Sequence, residues 1–169
     1  MKLTREHIAQ VTRAFSRREF VAVTGAAGVA AAAAPAFAQQ AQAPTGPKIK
    51  LGVIGCGGRG NFVANIFKRH GGYEIVAAAD YFQDRVDAFG DTFGVPAERR
   101  FTGLNGYKRV LEAKPDAVAL MTPPFFRPQQ AAEAVEAGCH VYLAKPVAVD
   151  VPGCQSIEES GKRATAKKL

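Results

Sequence analysis

An apolar run, Lys48–Ile54 (KIKLGVI), leads directly into Gly55-Cys56-Gly57-Gly58-Arg59-Gly60, and Asn61–His70 then continues with apolar residues at helical spacing. A glycine-rich turn between a buried strand and an amphipathic helix constrains this chain more than any other feature. It fits G-x-G-x-x-G, and Asp80 stands 20 residues beyond Gly60, at the end of the next apolar run. Each position has a physical task. Gly55 permits a tight turn, Gly57 lets the backbone approach a pyrophosphate, and Gly60 lets the helix pack close to the strand. Gly58 and Arg59 complete the loop, where a helix N-terminus presents unpaired N–H groups and a partial positive charge to phosphates. Asp80 is placed to accept hydrogen bonds from an adenosine ribose. Its carboxylate would repel a 2′-phosphate, which favours NAD over NADP; no arginine adjoins it, although Arg85 is close enough to reach.

Beyond the loop the chain keeps alternating short apolar runs with helical periodicity. In Asn61–His70 the spacing places Phe62, Val63, Ile66 and Phe67 on one face, and Gly71-Gly72 ends the helix. Tyr73–Ala79 reads as a second strand, and Gln83–Phe93 as a helix with Val86 and Phe89 inward. Arg99–Thr102 reads as a short third strand, and Leu104–Lys114 as a helix stopped by Pro115, whose ring carries no N–H. Ala117–Met121 is a fourth strand, Pro128–Ala137 a helix closed by Gly138, His140–Leu143 a fifth strand, and Val151–Lys168 the last helix. Strands without in/out alternation, each followed by a helix, require a parallel sheet covered on both faces. The expected class is therefore α/β, a Rossmann-type doubly wound sheet with its ligand cleft beyond the carboxyl ends of the strands.

The N-terminus has a different design. A basic stretch ends in Arg17-Arg18, an apolar stretch runs from Phe20 to Ala34, and Pro35 precedes the small-residue triplet Ala36-Phe37-Ala38. Ser16-Arg17-Arg18-Glu19-Phe20-Val21 resembles the twin-arginine consensus, so residues 1–38 read as a signal for the twin-arginine export machinery and the mature chain as periplasmic or secreted. The apolar stretch is shorter than the roughly 20 residues a membrane span needs, which argues against a stable anchor. Residues 39–47, small, polar and proline-rich, read as a linker, with the folded module at 48–169.

The net charge of +7 raises the question of a polyanionic partner. Residues 1–38 hold 5 basic and 2 acidic side chains, and the remaining surplus is spread along the chain with no basic run interleaved with aromatics. Nucleic-acid binding, which needs a concentrated stripe, is not expected. Three cysteines cannot build a disulfide framework, though a Cys139–Cys154 bridge is open; no cluster has metal-ligand spacing, and His70 and His140 read as structural or exposed.

Residues 48–169 resemble the nucleotide-binding domain of the glucose-fructose oxidoreductase / inositol dehydrogenase (Gfo/Idh/MocA) family. The resemblance rests on KLGVIGCGGRGN at the first turn, DAVALMTPP at the fourth strand and EAVEAGCHVYLAKPVAVD around the fifth. It implies that Thr122, Pro123 and Pro124 line the nicotinamide side of the cleft, and that Lys145 and Pro146 stand where the family usually has Glu-Lys-Pro. Lys145 would then be catalytic, its ammonium binding a substrate hydroxyl and stabilising negative charge as hydride leaves. Two positions depart from the pattern. Ala144 replaces the usual Glu, and Arg127 stands where a His is common, suited either to an anionic substrate or to capping the cleft.

The family implies a sugar, cyclitol or related polyol as substrate, with a homo-oligomer possible for a full-length protein. Its members carry a second α+β domain, so this chain reads as an N-terminal part, with the sheet expected to lack its last strand. Hydride transfer at a carbinol carbon, NAD-dependent glycoside hydrolysis, and a dinucleotide-binding module without activity all remain open at this point.

Overall fold

The computed structural model describes residues 46–169; the segment read as an export signal and most of the linker lie outside the described residues. The elements are β1 (Ile49–Ile54), α1 (Gly58–His70), β2 (Tyr73–Asp80), α2 (Gln83–Phe93), a 3-10 turn (Ala97–Arg99), β3 (Arg100–Thr102), α3 (Gly106–Glu112), β4 (Ala117–Leu120), α4 (Arg127–Glu136), β5 (His140–Leu143) and α5 (Val151–Ala166). The strands form one parallel sheet in the order β3-β2-β1-β4-β5. Strand order reverses between β1 and β4, and a doubly wound sheet opens its ligand crevice there.

Successive residues of each central strand feed opposite cores, which is why these strands carry no polar alternation. Leu51, Val53, Ala78 and Ala119 pack with Val63 and Ala64 of α1 and with Val86 and Phe89 of α2. Ile54, Ala77, Ala79, Val118 and Leu120 face the other way, against Tyr107 and Val110 of α3 and Ala131 and Ala134 of α4. α5 adds Ile157 to that second core.

The element order follows the sequence reading, with differences that have physical causes. On α1 the buried residues are Gly60, Val63 and Ala64, with Phe67 packed at the edge of the core, a spacing of i, i+3, i+4 and i+7. Phe62 and Ile66, expected on that face, lie to one side of it and are 54% and 44% exposed. α3 starts later than Leu104 because Gly103, at φ 81°, turns the chain and its carbonyl accepts from Gly106 N. It ends at Glu112, and Lys114 takes a positive φ of 52° before Pro115. Gly71 closes α1 in the left-handed conformation. Asp150 caps α5, its side chain accepting from Gly153 N at 2.7 Å.

Candidate functional site

The carboxyl ends of β1, β2 and β4 open onto a cleft of about 750 Å³. Its floor is the glycine loop. Gly55, at φ 98°, adopts a conformation that L side chains rarely take, and a Cβ there would stand 2.7 Å from the Met121 carbonyl carbon. Gly60 solves a different problem, since a Cβ on it would lie 2.0 Å from the Gly55 carbonyl oxygen, so only glycine lets α1 begin this close to β1. At Gly57 the nearest atom to such a Cβ would be Arg85 Nη1 at 3.5 Å, which leaves the backbone open to the cleft. Gly57 caps α1 without a side-chain hydrogen bond, and no acidic residue occupies the first turn. The amides of Gly58, Arg59 and Gly60 therefore lack intrahelical acceptors at the positive end of the helix dipole. Lys68, Arg69 and His70 complement the dipole at the other end.

Asp80 is built into the loop. Its Oδ2 accepts from Cys56 N at 2.7 Å and its Oδ1 from Phe82 N at 3.1 Å. Each carboxylate oxygen has a further lone pair for a ligand hydroxyl. Asn61 braces the loop from the helix side, its Nδ2 donating to the carbonyls of Cys56 at 2.7 Å and Gly57 at 3.1 Å. Two guanidinium groups stand over the loop, each on an aromatic face: Arg59 lies 5.3 Å from the Phe62 ring centre and Arg85 5.0 Å from that of Phe82. Cys56 is a packing residue. It is buried, its thiol donates to Ala79 O at 3.4 Å, and burial followed by the charge of Asp80 pushes its pKa up, away from nucleophilic use.

The wall on the β4 side is polar but fully organised. Thr122 Oγ1 donates to Gln130 Oε1 at 2.6 Å, and Tyr107 donates its hydroxyl to Glu133 Oε1 at 2.8 Å while accepting from Gln129 Nε2 at 3.2 Å. Burial, then the hydrogen bond to Glu133, raises the Tyr107 pKa. Burial opposes ionisation of Glu133, but hydrogen bonds from Gln129 and Tyr107, with Lys108 nearby, hold its pKa below the usual carboxylate value.

Arg127, the first residue of α4, is 5% exposed. Its Nε donates to Thr122 O at 2.7 Å, and its Nη1 donates to Ala144 O at 2.6 Å and also to Pro146 O. One side chain thus ties the loop after β4 to the loop after β5. Burial lowers its pKa, yet a guanidinium starts so high that it stays charged. Among the described residues no carboxylate pairs with it.

Of the residues expected at a cofactor site, Gly55, Gly57, Gly58, Arg59, Gly60, Asp80, Thr122 and Pro123 line the one cleft. Pro124, Lys145 and Pro146 do not. Lys145 is exposed at the end of β5, and the carbonyls on either side of it are the two that Arg127 Nη1 holds. Cys139 and Cys154 are both free thiols, the first buried and the second exposed, so no bridge joins them. Leu104, Tyr107, Phe126 and Gln130 also line the cleft. They lie beyond the carboxyl end of β3 and at the first turn of α4, where the rule that ligands sit beyond strand ends points.

Residues 49–167 match the Gfo/Idh/MocA family, described as an oxidoreductase family with an NAD-binding Rossmann fold. A glycosyl hydrolase family 109 protein from Shewanella pealeana is 30% identical over 120 residues, 68% of this chain and 26% of that protein. The WlbA dehydrogenase from Bordetella pertussis, solved in complex with NADH and UDP-GlcNAcA, superposes with a TM-score of 0.61 at 28% identity, over 72% of this chain and 34% of that one. Apo scyllo-inositol dehydrogenase from Lactobacillus casei shares the fold, with a TM-score of 0.60 at 24% identity over 74% of this chain and 35% of its own. The chain therefore spans about a third or less of the length of these relatives. With a parallel sheet in the order β3-β2-β1-β4-β5, a glycine loop under its cleft and a family match over nearly all the described residues, the chain belongs to the Gfo/Idh/MocA oxidoreductase family as its NAD-binding Rossmann domain.

Proposed function

We propose that this chain is the NAD-holding part of an exported oxidoreductase that transfers hydride between a nicotinamide cofactor and a carbinol carbon of a sugar, cyclitol or related polyol. The observation that carries the reading is the glycine loop locked to Asp80 through Cys56 N at 2.7 Å, which sets an anion-binding helix end and a ribose-binding carboxylate side by side. The donor set fits a dinucleotide. The α1 amides with Arg59 and Arg85 would hold the pyrophosphate, and Asp80 the adenosine ribose, on which a 2′-phosphate would meet its charge; NAD is accordingly favoured over NADP. The nicotinamide would extend past Thr122 and Pro123 towards β5, and when bound it supplies a two-electron hydride acceptor.

Lys145 is assigned the substrate side. Its ammonium would donate a hydrogen bond to the reacting hydroxyl and stabilise the negative charge that grows on oxygen as the C–H bond breaks. Arg127 would keep the backbone on both sides of Lys145 in place. UDP-GlcNAcA in the Bordetella complex supports a sugar-like ligand. The relationship to a glycosyl hydrolase supports a second reading, in which oxidation and re-reduction by the same retained cofactor flank cleavage of a glycosidic bond.

Calorimetry with NAD and NADP tests the cofactor assignment, and binding of neither would refute it. In the full-length protein, product analysis with sugars and glycosides separates the two reactions. A dehydrogenase accumulates reduced cofactor in proportion to product, whereas the hydrolase releases sugar with none.

A further inference from the structure

Glu133, the acid of the wall that holds Arg127, is tied to Tyr107, Gln129 and Lys108 and does not pair with Arg127. Asp80 and the glycine loop fix the adenosine and pyrophosphate ends of a bound dinucleotide, so the remaining end of the cleft, beyond β4, belongs to the nicotinamide. Arg127 lines the cleft there, with Nε on Thr122 O and Nη1 on the carbonyls of Ala144 and Pro146. Its partners are carbonyl dipoles and not a carboxylate, so its unit charge is solvated but not cancelled. Across the whole cleft three arginines, Arg59, Arg85 and Arg127, face one acid, Asp80.

The oxidised nicotinamide is a permanent cation and the reduced ring is neutral; the rest of the dinucleotide is identical. We infer that Arg127 makes this cleft bind the reduced cofactor more tightly than the oxidised one, so that Arg127 sets redox-state preference as well as loop position. The inference rests on the NAD-binding reading above. Repulsion of about 1.4 kcal/mol between two like charges changes an equilibrium about tenfold. A tenfold preference for the reduced form raises the two-electron potential of the bound couple by about 30 mV. Oxidation of a substrate hydroxyl within the site is favoured by the same factor, and release of the reduced cofactor is slowed.

The test is titration of the purified chain with NAD+, NADH and ADP-ribose, which lacks the nicotinamide, followed by calorimetry or fluorescence. NADH should bind about tenfold more tightly than NAD+, and NAD+ no more tightly than ADP-ribose. Arg127→Gln should bring the NADH and NAD+ affinities together, while Arg127→Lys, which keeps the charge, should preserve the difference. Equal wild-type affinities, NAD+ binding clearly above ADP-ribose, or an unchanged ratio in folded Arg127→Gln would each overturn the inference. If Arg127→Gln fails to melt cooperatively, the wild-type comparison with ADP-ribose decides alone. Binding of none of the three probes would overturn the cofactor assignment itself, an outcome distinct from equal binding of all.

Discussion

Gly60→Ala is the sharpest probe of the glycine loop, because the same substitution at Gly58, two residues away, meets no atom within 4 Å. At Gly60 the added methyl would lie 2.0 Å from the Gly55 carbonyl oxygen, and ordinary contact needs more than 3 Å, so α1 must shift by over 1 Å or Gly55 must leave its turn. Overpacking of this kind costs about 1–3 kcal/mol, whereas exchanging glycine for alanine in a helix returns up to about 1 kcal/mol. The net loss of about 1–2 kcal/mol should lower Tm by about 4–10 °C for a domain of this size. Gly58→Ala takes the propensity gain without the clash and should hold or raise Tm. A shift of over 1 Å also moves the helix amides off the phosphates, so NAD affinity should fall more than tenfold in Gly60→Ala and under threefold in Gly58→Ala. Differential scanning fluorimetry and calorimetry on the two variants read both effects. If Gly60→Ala keeps wild-type Tm and wild-type affinity, the close approach of helix and strand is not what the glycine serves.

Asp80→Ala should weaken NAD more than NADP, read as the ratio of the two dissociation constants, because it removes both the ribose acceptor and the repulsion of a 2′-phosphate; a ratio that does not move would remove Asp80 from cofactor choice. Phe89→Ala empties a fully buried site between α2 and the sheet and should cost about 3–5 kcal/mol, seen as loss of a cooperative melt at moderate denaturant. A thiol reagent should modify Cys154 rapidly and leave Cys56 and Cys139 untouched until denaturant is added, since burial raises the pKa of both. The Tyr107 pKa is raised above its ordinary 10.0, so the folded state holds that proton more tightly than the unfolded state does. Its contribution is complete below pH 10 and declines as pH rises above it; Tyr107→Phe should flatten the alkaline slope of stability, and an identical slope would deny the tyrosine that part.

The topology was legible because every layer of information agreed in β1, α1 and β2: uniform apolar strands, a glycine punctuation and an acid at fixed spacing. Boundaries slipped where a single residue decided them, as at Gly103, whose positive φ shortens α3. The buried face of α1 differs from the apolar pattern for a related reason. A large side chain such as Phe62 signals burial by size, but the small residues Gly60 and Ala64 form the true seam because the helix lies so close to the strand. In the cleft, the placement of the glycines and Asp80 was legible since it depends on backbone geometry and local spacing. Arg127 could not be given one role, because its three acceptors come from two loops that are far apart in sequence and meet only in the folded sheet.

The basic surplus finds its physical use at the scale of one cleft. Spread over the surface, a few excess cations would give only weak, salt-screened attraction for a polyanion. Arg59 and Arg85 sit instead on aromatic rings beside helix amides, and Arg127 is buried on three carbonyls, so that each guanidinium is oriented before any ligand arrives. Set against Asp80, Arg59 and Arg85 leave that end of the lining with an excess of one positive charge, to which the free α1 amides add. Oriented charge of that kind suits a compact anionic group, and the cofactor proposed above carries one in its pyrophosphate.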